Sequence, residues 1–301
     1  MVRLSLLLLL SALALIALLV WCISRWDVWF GNSPEAPYKT ADVPERVMLT
    51  FGDTCELNRN ISWMCGESVS PAFVEFIDKQ TQETRRVDVG GEVFESRGGK
   101  AAYYVARLRN LEAGHTYRYR VSSGGKWSEW YEFSLLPSEE KDFSFIYIGD
   151  VQDSLGGITG QFLRKTLAHN PDASFLVCGG DLIEQPNHAY WNEAFQSMDS
   201  IRQTLPILTV TGNHDYLKGI IAELERRFSL THSYYLDSME GVNQVFTIRY
   251  KDMQLFCLDS NREFFHLYTQ RNWLERKLEA SKAKWKVVVL HHPLYSIRGK
   301  G

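Results

Sequence analysis

From Leu4 to Ser24 ("LSLLLLLSALALIALLVWCIS") the chain carries no charged side chain, and no polar face can be drawn on a helix through it. A spanning helix needs about 20 such residues, whereas a cleaved signal needs a shorter core followed by a small-x-small site. Ala12-Leu13-Ala14 has that form but falls inside the apolar run, with Arg3 ahead of the run and Arg25 behind it. The pattern therefore predicts a signal peptide or signal-anchor over 1–25, an uncleaved anchor being favoured, with the rest of the chain exported: periplasmic, cell-surface or secreted. Cys22 follows Leu-Val-Trp, but the bulky Trp21 argues against a lipid-modified cysteine. Residues 26–45 show no period and carry three prolines, Pro34, Pro37 and Pro44, which predicts a linker.

From Arg46 the apolar positions alternate in short runs: "RVMLTF", "NISW", "AFVEFI", "AYYVARL", "HTYRYRV" and "WYEFSL". In "TYRYRV" a period of two places Tyr117, Tyr119 and Val121 on one face and Arg118 and Arg120 on the other. Such strands, separated by Gly, Asn and Ser turns, predict an all-β sandwich over 46–136. The polar segment 136–142, "LPSEEKD", is a natural boundary.

After it the period changes. "FSFIYIGD", "ASFLVCGGD" and "LPILTVTGNHD" read as strands buried on both faces. They alternate with helical spacing in "TGQFLRKTLAHN", in Trp191, Ala194, Phe195 and Met198, and in Ile220, Ile221, Leu224 and Phe228. This alternation predicts an α/β layered domain over 143–301. "SYYLDS", "QVFTIRY" and "MQLFCLDSN" read as antiparallel additions, followed by the helix "QRNWLERKLEAS" and a last strand in "WKVVVLHHPLYS".

Composition changes this picture little. The 301 residues are 45% hydrophobic and 23% charged, with net charge −3, which gives no electrostatic basis for nucleic-acid binding. Cys178 and Cys257 lie in apolar runs and read as buried hydrophobes. An exported chain permits a Cys55–Cys65 disulfide, but a simple hairpin between them would not set them opposite each other. Asn60-Ile61-Ser62 matches a glycosylation sequon by pattern only.

The strand tips carry the chemistry. The runs end in Gly149-Asp150-Val151-Gln152, Gly179-Gly180-Asp181, Gly212-Asn213-His214-Asp215 and His291-His292-Pro293. One such tip is an ordinary turn. Four at the carboxyl ends of the strands, where α/β sheets keep their crevice, point to a shared site. Carboxylates, an amide oxygen and imidazoles suit hard-to-borderline divalent cations, and glycine lets backbone approach them. Asn187 and His188 read as loop-to-helix capping, Asp259-Ser260-Asn261 as a turn, and Arg298 and Lys300 as a basic tail.

The series GD, GGD, GNHD and HHP, in this order, resembles the calcineurin-like metallophosphoesterase superfamily. The β-rich N-terminal region and "NWLERKL" resemble its purple acid phosphatase branch, in which a fibronectin-like sandwich precedes the phosphatase domain. The resemblance implies a hydrolase of small phosphate esters with a two-metal centre: Asp150 on one ion, Asp181 bridging, Asn213 and His291 on the other. It implies His214 as proton donor to the leaving group, oriented by a carboxylate such as Asp215. Glu184 stands where the branch has an iron-binding tyrosine, so manganese, zinc or ferrous iron is expected rather than a coloured ferric site. Gln152 stands where relatives often have histidine; Gln152, Glu184 and His292 are expected at or just behind the metals. The closing Gly-His-x-His block of the family does not occur before Gly301, so the 301 residues are expected to be a truncated chain that binds metal poorly and hydrolyses little. The alternative reading is a surface binding or adhesion protein with a vestigial phosphatase domain.

Overall fold

The apolar N-terminal segment is one continuous helix, α1 (Val2–Phe30), which runs past Arg25 instead of ending there. The structure, a computed structural model, describes residues 2–53, 55–237 and 244–295, with side chains from Leu8 onward. The stretch Leu8–Phe30 is long and apolar enough to cross a membrane, a test that signal sequences also pass, and none of it is buried against the body.

Nine strands follow: β1 (Glu45–Phe51), β2 (Arg59–Met64), β3 (Ala72–Asp78), β4 (Thr84–Val89), β5 (Gly91–Glu95), β6 (Lys100–Leu108), β7 (Thr116–Ser123), β8 (Lys126–Trp127) and β9 (Tyr131–Ser134). They form a sandwich in which β1-β2-β6-β5 faces β4-β3-β7, with β8 and β9 also paired to β7. The alternation read in "TYRYRV" is observed, with Tyr117, Tyr119 and Val121 buried and Arg118 exposed. These side chains pack on Ile61, Trp63 and Tyr104 of the facing sheet, and Trp63 stacks on Tyr104 with ring centres 5.4 Å apart. Burying each large aromatic stabilises the sandwich by roughly 2 kcal/mol or more.

The second half contains β10 (Ser144–Ile148), α2 (Thr159–His169), β11 (Ala173–Cys178), α3 (His188–Ser197), β12 (Ile207–Thr209), β13 (Tyr216–Leu217), β14 (Glu223–Leu224), α4 (Arg226–Thr231), β15 (Phe246–Tyr250), β16 (Met253–Cys257), α5 (Phe264–Ala280) and β17 (Trp285–Val289). Parallel β10-β11-β12 form one layer and β15-β16-β17 a second. On β11, Phe175 and Val177 pack toward the second layer, while Leu176 and Cys178 pack under α2 and α3. Burial on both faces is why this strand reads as a continuous apolar run. The architecture is thus a β-sandwich followed by an α/β layered domain, as the sequence predicts. The two parts are also joined: β1 pairs in parallel with β12 at Thr50 and Ile207, making one sheet path through both. Arg202 strengthens the joint by donating to the Val47 and Phe195 carbonyls.

Three local expectations fail. Residues 220–228 are not one helix: β13 and β14 form a hairpin, α4 starts only at Arg226, and Ile220 and Ile221 are 77% and 67% exposed. The i, i+4 spacing was outweighed by tertiary bonds, since Glu225 N–H donates to the Asp215 carbonyl (3.0 Å) and Lys218 N–H to the Asn32 side chain (2.8 Å). "SYYLDS" forms no strand over its described residues, because Tyr234 turns inward and its hydroxyl meets the β12 backbone at Thr209 N (2.8 Å) and Ile207 O (3.1 Å). Residues 26–45 are not a loose linker: 26–30 continue α1, and Glu35, Tyr38 and Thr40 are bonded to the body. The hairpin argument against a Cys55–Cys65 bridge agrees with the structure: both are free thiols, set toward opposite ends of the hairpin by the β1–β2 register (Phe51 with Arg59, Glu45 with Met64).

Candidate metal centre

The site is assembled by the turns that follow β10, β11, β12 and β17. Ligand atoms of Asp150, Asp181 and His291 all lie within 4.8 Å of one another. His291 Nε2 is 3.3 Å from Asp181 Oδ2 and 3.2 Å from Asn213 Oδ1, and its Nδ1 is 3.8 Å from Asp150 Oδ1. Nδ1 donates to the Gly179 carbonyl at 3.0 Å, which fixes the ring and leaves Nε2 directed at the cluster.

The backbone is strained here. Asp150, Gln152 and Asp181 have φ of 48°, 31° and 52°, the left-handed region that non-glycine residues rarely adopt. The two loops hold each other: Asp150 N–H donates to Gly180 O and Gln152 N–H to Asp181 O, both at 3.2 Å. Glycine is required at two positions. A Cβ on Gly212 would lie 2.0 Å from Asp181 Oδ1, and one on Gly180, at φ +97°, would lie 2.8 Å from His291 Nδ1.

Charge is arranged to match. Burial raises the Asp181 pKa, but hydrogen bonds from His291 and from the His214 N–H, with the nearby positive charge, outweigh it and hold the carboxyl below its usual range. The hydrogen bond to Asp181 correspondingly raises the His291 imidazole, against burial. The imidazole and the carboxylate thus each favour the charged form of the other. Two carboxylates, an amide oxygen and a fixed imidazole, cleared of side-chain obstruction by glycine, fit a divalent metal.

The remaining residues named from the sequence are placed as follows. His214 N–H donates to Asp181 Oδ1 (2.8 Å) and its Nδ1 to the Glu184 carbonyl (2.7 Å), with the Glu184 carboxylate 3.8 Å away. Asp215 does not orient His214, contrary to expectation. Its carboxylate is fully buried and accepts from Gly212 N–H (2.8 Å) and Asp181 N–H (3.2 Å), pinning two ligand loops together. Burial, chiefly, pushes its pKa up to about 7. Gln152 Nε2 donates to Asp181 Oδ2 at 2.5 Å, so its amide faces the carboxylate as a donor. His292 stands apart from the cluster, exposed and bonded to Ser260 Oγ at 2.9 Å. Asn187 caps α3, accepting from Tyr190 N–H at 3.2 Å, while His188 stacks on Tyr38 at 3.6 Å. Arg298 and Lys300 lie outside the described residues.

Two supports were not legible beforehand. Asp259, read as a turn residue, is fully buried and accepts from Thr211 Oγ1 (3.0 Å) and the Tyr216 hydroxyl, bracing both ends of the Asn213 turn. Its position at the end of an apolar strand is the same signal that marked the other carboxylates. Tyr147 hydroxyl rests against Gly179, where a Cβ would lie 2.2 Å from it; a half-exposed tyrosine on a strand carries no such signal.

Residues 44–135 match the family model of the purple acid phosphatase N-terminal domain, and residues 143–301 that of the calcineurin-like phosphoesterases. Tartrate-resistant acid phosphatase type 5 of Rattus norvegicus is 25% identical over 153 residues, covering 43% of this chain and 47% of the relative. Purple acid phosphatase 17 of Arabidopsis thaliana is 28% identical over 188 residues, 52% of this chain and 54% of its own. The chain spans about half the length of these curated relatives. In fold it is similar to a purple acid phosphatase isolated from yellow lupin (Lupinus luteus) seeds, with TM-score 0.66 at 16% identity over 82% of this chain and 50% of that one. PhoD follows with TM-score 0.53 at 11% identity over 84% and 63%.

Proposed function

Because the chain belongs to the calcineurin-like phosphoesterase family, we propose that it hydrolyses small phosphate esters outside the cytoplasm with two divalent metal ions. The observation that carries this reading is the convergence of Asp150, Asp181 and His291, with Asn213, beyond four separate strands. Asp150 would hold one ion, Asn213 and His291 the other, and Asp181 both, since one carboxylate has two oxygens to share. When bound, such ions supply Lewis acidity, offsetting phosphoryl charge and making a water acidic near neutral pH.

The protein's own groups do the rest. Gln152 and the His214 N–H hold the two Asp181 oxygens in place. Asp215 keeps the glycine loops from separating. His214, anchored through Nδ1, has Nε2 left to carry the proton that a departing alkoxide needs.

The test is metal content and aryl phosphate turnover of the wild-type chain beside Asp181→Asn. The variant is expected to lose both ions together and at least about 100-fold in turnover. Two tightly bound ions retained in Asp181→Asn would show that this carboxylate does not bridge.

A further inference from the structure

The junction between α1 and the folded body forms part of the pocket beside His214. Asn32, the second residue after α1, is locked to the β13–β14 turn from both directions. Its Nδ2 donates to Lys218 O and its Oδ1 accepts from Lys218 N–H, each at 2.8 Å. Asn32, Ser33 and Lys218 line a cavity of about 230 Å³ together with His214 and Asn213. A pocket wall next to the candidate proton donor is therefore made by the segment that emerges from the apolar helix. From Phe30 to Asn32 the chain can extend at most about 7 Å.

That segment cannot swing away. Glu35, buried, pairs with Arg227 at 2.7 Å, and its carboxylate accepts from His188 N–H (2.6 Å) and Gly98 N–H (3.0 Å). Tyr38 stacks on His188 at 3.6 Å, and Thr40 Oγ1 donates to Lys100 O at 2.8 Å.

The surroundings match a bilayer surface. Trp21, Trp26 and Trp29 cluster in the last part of α1, where interfacial aromatic residues sit in spanning helices. Ile220 and Ile221, at the tip of the turn that Asn32 holds, are 77% and 67% exposed. Two large apolar side chains beside a basic residue, at the foot of an apolar helix, suit insertion among lipid headgroups.

We propose that the α1–body junction seats this pocket on the membrane, with Ile220 and Ile221 dipping into the lipid, and that the substrate is a phosphate ester carried by a membrane lipid. The substrate half rests on the hydrolase reading above; the seating does not. Lys218 borders the cavity as the cation that such a headgroup would meet, and the bilayer supplies substrate within reach of the pocket.

The full chain is reconstituted in vesicles containing phosphatidic acid, and a photo-reactive benzoylphenylalanine replaces Leu15, Ile221 or Glu83 in turn. Glu83 lies on the β3–β4 turn, at the end of the sandwich away from Gly66 and Gly98, which the tether segment contacts. Lipid adducts are expected at Leu15 and Ile221 and not at Glu83. Adducts at Leu15 alone, at none of the three, or equally at all three overturn the seating, as does a protein adduct at Ile221 in place of lipid. In parallel, the Ile220→Asp/Ile221→Asp variant is expected to lower release of phosphate from the vesicles about tenfold relative to water-soluble aryl phosphate. An unchanged ratio overturns the lipid substrate. No turnover of either compound by the wild-type chain overturns the hydrolase reading and the lipid substrate with it, while the adducts still decide the seating.

Discussion

His214 shows how much of the proposed chemistry depends on one ring nitrogen. With Nδ1 held by the Glu184 carbonyl, the proposed protonation of the leaving group would fall to Nε2. His214→Asn is then expected to slow hydrolysis of an alkyl phosphate by about 100-fold, while a nitrophenyl ester, whose leaving group needs no proton, slows only a few-fold. Equal losses on the two esters in steady-state kinetics would remove His214 from that role. The Asp215 carboxylate illustrates the opposite case. The motif made it a partner for His214, yet its two backbone bonds tie it to Gly212 and Asp181 instead. The residue types at the strand tips were legible because glycine followed by a metal-type ligand recurs. Which ligand faces the ion and which braces the loop depends on backbone direction, and that is set only when the turns pack together.

Among the elements, α4 and the segment between α1 and the sandwich depend on each other. Arg227 lies between Glu35 and Glu225 at 2.7 and 2.9 Å, with all three side chains almost wholly buried. Glu225 in turn accepts from Trp191 Nε1 at 3.0 Å, joining α3 to the same group. Removing one partner leaves charge buried without compensation, so Arg227→Ala is expected to destabilise the fold by about 3–5 kcal/mol. Replacement of all three groups by apolar residues of similar size should cost far less. Chemical denaturation of the two variants checks this; a loss under about 1 kcal/mol for Arg227→Ala would mean water reaches the cluster. The expected helix over 220–228 failed at this level, because apolar spacing does not record that Glu225 and Lys218 are claimed by distant backbone and side-chain partners.

For the molecule as a whole, acid is expected to loosen the fold. His232 is completely buried, stacked on Phe228 with ring centres 4.4 Å apart, and burial lowers its pKa from 6.5 to about 4. The unfolded chain therefore binds the proton more readily, and stability falls as pH drops from about 6.5 toward 4, by on the order of 3 kcal/mol in full. Asp78 acts in the same direction at lower pH. Burial raises its pKa, but hydrogen bonds from His115 and from the Gln80 and Thr81 N–H groups prevail and lower it, so its contribution disappears as pH falls through the folded value. Melting temperature measured with chelator present should hold near neutrality and decline below about pH 6.5, and His232→Phe should flatten the upper part of that decline. An identical pH profile in the variant would acquit His232.

Periodicity and punctuation along the chain were enough for the two-part architecture, the apolar helix and the four ligand-bearing tips. Each of these is a local property: side-chain alternation, glycine at a strand end, an unbroken apolar run. Three features came only from tertiary structure. The sandwich joins the α/β sheet through a single parallel pairing of Thr50 with Ile207, and register between strands so far apart leaves no local mark. Asp215 and Asp259 became braces because buried carboxylates go where unpaired N–H and O–H groups are, and those belong to other loops. The segment after α1 became a wall of the pocket because Glu35 and Asn32 found partners in Arg227 and Lys218, nearly two hundred residues away in the chain, and pairing at that distance is decided by the folded surface alone.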